Sequence, residues 1–312
     1  MNDLSTDESV VQYEGTEYRV IEDPKYGYRR LDPLPDDKAL ARFYQSHYYD
    51  LIRQGGRAHE LKHLLAGGEE ADREREWLKT TVYADIAHAL SMHAPGTRVL
   101  DVGCGTGEAL AFLETQGFNT LGIEPSAEAS TVAAGRGIHV LNLTLEEYVE
   151  HRRVTSAPAV DAVLLLCVLE HVPDPAAMLG AARAALAPGG LVGIRVPNDF
   201  NEIQRIAREK LAKKPWWIAV PDHINYFTFA SLRAFLDQLG FDVVYEQGDF
   251  PMEMFLLMGD DYVGNEAVGS ACHQKRVRFE TAIPADLRRS MYQAMASAGV
   301  SRDCLVFARL RG

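Results

Sequence analysis

Residues 99–110 read VLDVGCGTGEAL. A short β-rich run ends in Gly103, Gly105 and Gly107 at every second position, and a helical stretch follows at once. Glycines spaced this way let the chain turn sharply and let a ligand lie against bare backbone, while the first turn of the next helix offers unpaired N–H groups. A dinucleotide loop, G-x-G-x-x-G, receives a pyrophosphate and carries its third glycine one position later. Here that glycine falls one residue early, and Asp101 stands just before the loop, where its charge opposes a pyrophosphate and favours a cation. The next β-rich run ends at Glu124 in GIEPS, placed to accept both hydroxyls of a ribose. The pattern asks for a ligand with a ribose, a positive charge and no phosphate.

Outward from this loop the chain alternates strands and helices. RVLDV (98–102), NTLGI (119–123), GIHVLN (137–142), VDAVLLL (160–166) and GLVGIRV (190–196) are strand candidates, with helices starting near Gly107, Ser126, Leu145, Pro175 and Phe200. Nearly unbroken apolar strands that alternate with helices imply a parallel sheet covered on both faces. Ala187-Pro188-Gly189-Gly190 is expected to form a turn before the fifth strand. Beyond it lie a helix, the aromatic segment PWWIAVPDHINYFTF (215–229), a helix in FASLRAFLDQLG, the strand FDVVYEQ (241–247) and a last strand, CLVFARL. The expected fold is α/β, a Rossmann-like, doubly wound, mostly parallel seven-stranded sheet with N-terminal helices and an insertion before the last strand. Residues 1–95 are expected to form an N-terminal arm, with a small hairpin, and a helical lid of two or three helices. Residues 96–249 and 303–312 form the core, and 250–302 an insertion contributing to the acceptor site.

Three segments carry a resemblance. VLDVGCGTGEAL with GIEPS resembles motif I and the acidic second-strand end of class I S-adenosylmethionine-dependent methyltransferases. VDAVLLLCVLEHVPDP resembles the fourth-strand motif of the ubiquinone-biosynthesis O-methyltransferases, and LAPGGLVGIRVPN the family's turn into strand five. Together they span about residues 98–245. The resemblance implies S-adenosylmethionine as cofactor and S-adenosylhomocysteine as product. It sets Asp101, Gly103 and Gly105 along the methionine portion, with Cys104 and Gly107 in the same loop. Glu124, followed by Pro125, would hold the ribose. Asn142, Thr144 and Leu145 would flank the adenine, and Cys167 and Val168 would back the methionine.

Methyl transfer from a sulfonium needs chiefly alignment of the acceptor and exclusion of water. A base is needed for protonated acceptors such as hydroxyls, and it must lie beyond the C-terminal ends of the strands. His171 and His223 meet that condition. His223 stands in a segment resembling the H-x-x-Y/F-F-(S/T) stretch of sugar C-methyltransferases and allied O-methyltransferases, with Asp222 where Glu is usual, suited to orienting the imidazole. Trp216, Trp217, Tyr226 and Phe227 are expected to wall an apolar acceptor pocket. Tyr48, with Tyr44 and Tyr49, either closes over the cofactor or forms a buried helix face. In the insertion, His273, Lys275, Arg276 and Arg278 either meet an anionic acceptor or form a solvated face. No metal site is expected, since Asp260-Asp261 has no third oxygen ligand at recognisable spacing.

The 312 residues are 47% hydrophobic and 24% charged, with a formal net charge of −12. That balance repels phosphate backbones, and no N/D-P-P-Y/F segment is present to grip a flipped base, so nucleic acid is not the expected partner. Four scattered cysteines suit a reducing cytoplasm, and no apolar run reaches membrane-spanning length. The expected function is transfer of a methyl group to a small-molecule acceptor, most readily a hydroxyl or carboxylate oxygen of a secondary metabolite or sugar. The alternatives are C- or N-methylation, an NAD-dependent oxidoreductase, and a non-catalytic S-adenosylmethionine-binding module. A homodimer is compatible with the chain.

Overall fold

A computed structural model describes residues 10–36, Leu40 and residues 68–312. Eleven strands and eleven α-helices occur among the described residues. The parallel core begins at β4 (Arg98–Val102) and continues through β5 (Asn119–Ile123), β6 (Val140–Leu141), β7 (Val160–Leu166) and β8 (Leu186–Pro197). With β10 (Phe241–Gln247) and β11 (Asp303–Leu310) they make a seven-stranded sheet in the order β10-β11-β8-β7-β4-β5-β6. β11 runs antiparallel to both β8 and β10, and the other pairs are parallel. The expected sheet is the one found.

Period-two alternation explains its two faces. Leu100, Val163, Leu165, Val192 and Ile194 point into one core with helices α5 (Leu145–Thr155), α6 (Pro175–Ala185) and α8 (Phe229–Gln238). Val99, Ala162, Leu164 and Leu191 point into the other, with α2 (Ala84–His93) and α3 (Glu108–Thr115). Local signals fix the helix starts. Thr144 and Glu147 close a capping box on α5, and Asp174 caps α6 just before Pro175.

One element departs from expectation. Ala187–Gly190 is not a separate turn: β8 already starts at Leu186, and its register against β7 jumps from Val160↔Leu186 to Ala162↔Leu191. The extra residues bulge within the strand, with Gly189 at φ 71°. The charged stretch before Leu78 forms helix α1 (Gly68–Leu78), joined to α2 by a π-helical turn at Lys79–Tyr83. Asp72, Arg73 and Glu76 face outward, while Glu74 is buried with Ala71, Trp77 and Leu78.

The N-terminal hairpin is present and has a further partner. β1 (Val10–Tyr13), β2 (Thr16–Glu22) and β3 (Arg29–Asp32) form an antiparallel sheet that β9 (Asn225–Tyr226) completes. The aromatic segment is thus stitched to the start of the chain through Arg29↔Tyr226 and Arg30↔Asn225.

The segment between β10 and β11 is helical: α9 (Glu253–Leu257), α10 (Glu266–Ala282) and α11 (Ala285–Ser297). α10 and α11 lock onto the N-terminal helices through buried polar groups. Glu280 accepts from Trp77 Nε1 at 2.6 Å, from Tyr292 Oη at 2.6 Å and from Arg276 Nε at 3.2 Å. His273 Nε2 meets Glu74 Oε2 at 2.9 Å, and Arg288 donates to Asp85 at 3.0 Å. His273 and Arg276 are therefore taken up internally and do not offer charge to an anionic acceptor. Lys275 pairs with Asp260, and Asp261 with Lys213.

Candidate active site

The glycine loop and Glu124 meet at the C-terminal ends of β4 and β5. Glu124 Oε2 accepts the Gly105 N–H at 2.9 Å and Oε1 accepts the Ser126 N–H at 2.8 Å. The carboxylate is thereby held in one orientation at the mouth of the loop. Gly103, Gly105 and Gly107 all take positive φ, at 68°, 54° and 79°. Gly105 is open on the side where a Cβ would stand, whereas a Cβ on Gly107 would come within 3.0 Å of Ile138. Gly105 thus leaves room for a ligand against backbone, and Gly107 serves close packing at the start of α3.

Asp101, at the floor of this loop, is 3% exposed, and its Oδ1 has no hydrogen-bond partner. Burial, reinforced by the nearby Glu124 charge, pushes its carboxyl up to about 7. A buried acid without a donor is costly unless something supplies positive charge, and a sulfonium nucleoside with its amino group is such a ligand. The donor set therefore fits S-adenosylmethionine and would not fit a pyrophosphate.

The remaining predicted cofactor residues cluster here in differing roles. Cys104 is half-buried, with its Sγ lying where a Cβ on Gly122 would come within 2.5 Å; burial pushes its thiol up to about 12. Asn142 donates to the carbonyls of Glu124 and Pro125 at 2.8 and 2.9 Å, so it fixes the loop holding the acid. Thr144 caps α5, and Leu145, 1% exposed, belongs to the main core. Val168 touches the glycine loop, its Cγ2 lying 3.4 Å from where a Gly103 Cβ would be. Cys167 is exposed at the end of β7 in the left-handed region, φ 58°, a conformation uncommon for a non-glycine residue.

The second cluster lies past β7. Asn225 Nδ2 donates to the carbonyls of Leu169 and Val172, and the Glu170 carbonyl accepts from Ile224 and Asn225 N–H. These bonds staple the LEHV turn to the aromatic segment and bring His171, Asp222 and His223 together. Each of the three offers one ligating atom, and those atoms lie within 4.8 Å of one another. The His171 and His223 rings meet edge to face with centroids 4.9 Å apart. His171 Nδ1 lies 2.8 Å from the Asp222 carbonyl oxygen. A carbonyl only accepts, so Nδ1 carries a proton, and in the neutral ring Nε2 holds the lone pair. Glu170 is 2% exposed, with Oε2 unpartnered, and burial pushes it up to about 8. Sequence reasoning paired Asp222 with His223 and took His171 separately, and missed that the three converge, because the long-range Asn225 bonds that join them leave no local spacing signal. It missed Glu170 altogether.

The aromatic wall needs correction. Phe227 is 1% exposed inside the main core and the Tyr28 ring packs against it, tilted, with centroids 4.9 Å apart, so it does not face an acceptor. Tyr226, 2% exposed, packs with Tyr18 and Leu31 in the small sheet. Trp217 is also buried, edge-on to Phe200 at 5.6 Å. Trp216 is half-buried beside it, near Tyr262 of the insertion. Tyr48, with Tyr44 and Tyr49, lies outside the described residues.

A profile described as a methyltransferase domain matches residues 71–246, more than half of the chain. The chain belongs to the methyltransferase-domain family. That is the family its motifs resembled, the class I S-adenosylmethionine-dependent methyltransferases. Among similar proteins, the ubiquinone biosynthesis O-methyltransferase of Psychrobacter cryohalolentis is 31% identical over 140 residues, covering 43% of this chain and 52% of that one. The enzyme of the same name from Alkalilimnicola ehrlichii is 38% identical over 104 residues, covering 31% of this chain and 40% of that one. The chain spans about half the length of the curated relatives it matches. The plantazolicin methyltransferase BpumL, solved with a monoazolic desmethylPZN analog and SAH, shares the fold at TM-score 0.50 and 14% identity, covering 88% of this chain and 95% of that one. Among the described residues no helix is long and apolar enough to cross a membrane.

Proposed function

We propose that this methyltransferase domain uses S-adenosylmethionine to methylate an oxygen of a small molecule. The observation that carries the reading is the pairing of Glu124, oriented by the Gly105 and Ser126 N–H groups, with the donor-starved Asp101 beneath the same loop. Bound there, the cofactor supplies an activated methyl group. In this reading Asp101, Gly103 and Gly105 hold its methionine end, Glu124 its ribose, and Asn142 keeps the Glu124 loop in place. The His171–Asp222–His223 cluster lies beyond the strand ends, where the acceptor must approach, and takes charge of the acceptor proton. Trp216 and the adjoining Tyr262 flank the acceptor side, which gives residues 250–262 of the insertion a part in it. The similarity to ubiquinone biosynthesis O-methyltransferases supports oxygen as the acceptor atom. The net charge of −12 supports a small molecule in preference to nucleic acid.

Calorimetric titration of the purified chain with S-adenosylhomocysteine and, separately, NAD tests the reading. Binding of the first and not the second is expected. Tight binding of NAD alone would overturn it. A carbon acceptor is the second reading, favoured by the Asp222-His223 pair in its H-x-x-Y/F-F-(S/T) context.

A further inference from the structure

Of the polar clusters in the fold, the buried network around Glu280 and Arg288 is internally paired, whereas the group past β7 has the composition of a ligand set. We propose that His171, Asp222 and His223 bind a divalent transition metal ion, which holds the acceptor's oxygen at the methyl-transfer site. The inference rests on the reading of this domain as a methyltransferase and extends it.

Four observations support it. Two imidazoles and a carboxylate, contributed by two separate turns, have ligating atoms within 4.8 Å of one another. Catalytic zinc sites use just such three-residue sets and keep a position open for water or substrate. Bound at about 2.0–2.2 Å, neighbouring ligand atoms sit roughly 3–3.5 Å apart, so side-chain shifts of about an ångström complete the site. Second, the His171 ring already has the outer partner that a ligating histidine takes. Its Nδ1–H donates to the Asp222 carbonyl, which fixes the ring and leaves Nε2 with the lone pair. Third, Glu170 approaches the same ring, its Oε1 3.9 Å from His171 Nε2, while its Oε2 is buried with no hydrogen-bond partner. An adjoining cation removes that deficit. Fourth, the ligands stand on rigid supports, because Asn225 ties both turns together and β9 ties the second turn to β3. Histidine with carboxylate selects ions such as Zn²⁺, Mn²⁺ or Fe²⁺ over Ca²⁺ or Mg²⁺. The cluster's handling of the acceptor proton would then work through the ion: an acceptor oxygen entering the open position would have its proton loosened by the ion's charge and release it to solvent, with the imidazoles as ligands and not as bases.

The test is metal binding itself, free of any turnover. The purified full chain, stripped with chelator, is titrated with Zn²⁺ by calorimetry and with Co²⁺ by visible absorption. One equivalent is expected, with Co²⁺ bands of an imidazole-containing site. His171→Ala and His223→Ala should each weaken Zn²⁺ by more than the roughly 10–100-fold that loss of an outer partner costs. Far-UV circular dichroism and S-adenosylhomocysteine titration of the same samples establish that each variant is folded; if one is not, His223→Gln replaces it. Zn²⁺ affinity unchanged in folded variants, or no binding to wild type, overturns the proposal. If S-adenosylhomocysteine still binds in that case, the methyltransferase reading stands. If it does not, that reading falls as well.

Discussion

The Glu124 carboxylate receives the Gly105 backbone N–H at 2.9 Å across the mouth of the glycine loop. One side chain therefore both shapes the loop and presents its remaining lone pairs to a ribose. Glu124→Ala should weaken S-adenosylhomocysteine binding by about 1.5–3 kcal/mol, the range for hydrogen bonds to a charged group. Glu124→Gln should lose less, because one oxygen can still accept. Calorimetry on folded variants decides it; equal affinity in all three proteins would displace the ribose from this position.

Cofactor affinity should also depend on pH through Asp101. Its carboxyl, pushed up to about 7 by burial and by Glu124, is largely protonated at pH 6. A cation favours the ionised form, so binding expels a proton and tightens as pH rises. For a single group near 7, the gain from pH 6 to pH 8 is about tenfold. Asp101→Asn should remove that slope, which titrations at the two pH values would reveal.

Stability of the ligand-free protein should run the opposite way. Burial raises Asp101, Asp199 and Asp249 to about 7 and Glu170 to about 8, from ordinary values of 3.8 for Asp and 4.5 for Glu. The folded chain holds these protons after the unfolded chain has released them, so their contribution is full at low pH and is lost as pH climbs towards 8. Calorimetric Tm should fall between pH 5 and pH 8, and less steeply in Glu170→Gln.

Truncating Glu280 should be severe. It is 1% exposed and accepts from Trp77, Arg276 and Tyr292. Glu280→Ala takes one carboxylate partner from the buried Arg276 guanidinium, which keeps its pair with Asp249, a loss of about 3–5 kcal/mol by the rule for breaking a buried ion pair. Urea denaturation of Glu280→Ala beside Glu280→Gln would show it, the amide costing less.

His223→Ala should lower turnover roughly 10²–10⁴-fold once an acceptor is in hand, while leaving S-adenosylhomocysteine affinity within about twofold. Unchanged turnover would move proton handling elsewhere.

Much of this fold could be read from sequence, because its signals are local. Every core strand from β4 to β8 is an apolar run, and the glycine loop and Glu124 follow directly on two of them. What could not be read depends on contacts between distant segments. Nothing in Asn225 announces that it will bond Leu169 and Val172 and so bring His171 to His223. An aromatic residue looks the same whether it lines a pocket or fills a core, which is why Phe227 and Tyr226 were misplaced: Tyr28 and Tyr18, far earlier in the chain, claim them. The same holds for Arg276, whose burial depends on Glu280 and Asp249 closing around it.

The two-residue strand Asn225–Tyr226 has its sheet neighbour in the N-terminal hairpin. His223, two positions upstream, therefore borrows its firmness from a splint made of residues 16–32, which no comparison of core motifs would flag. A trimmed gene beginning at α1 should still yield the large sheet and still take up the nucleoside. It would do so with a slack acceptor side, a protein sound as a container and poor as a tool.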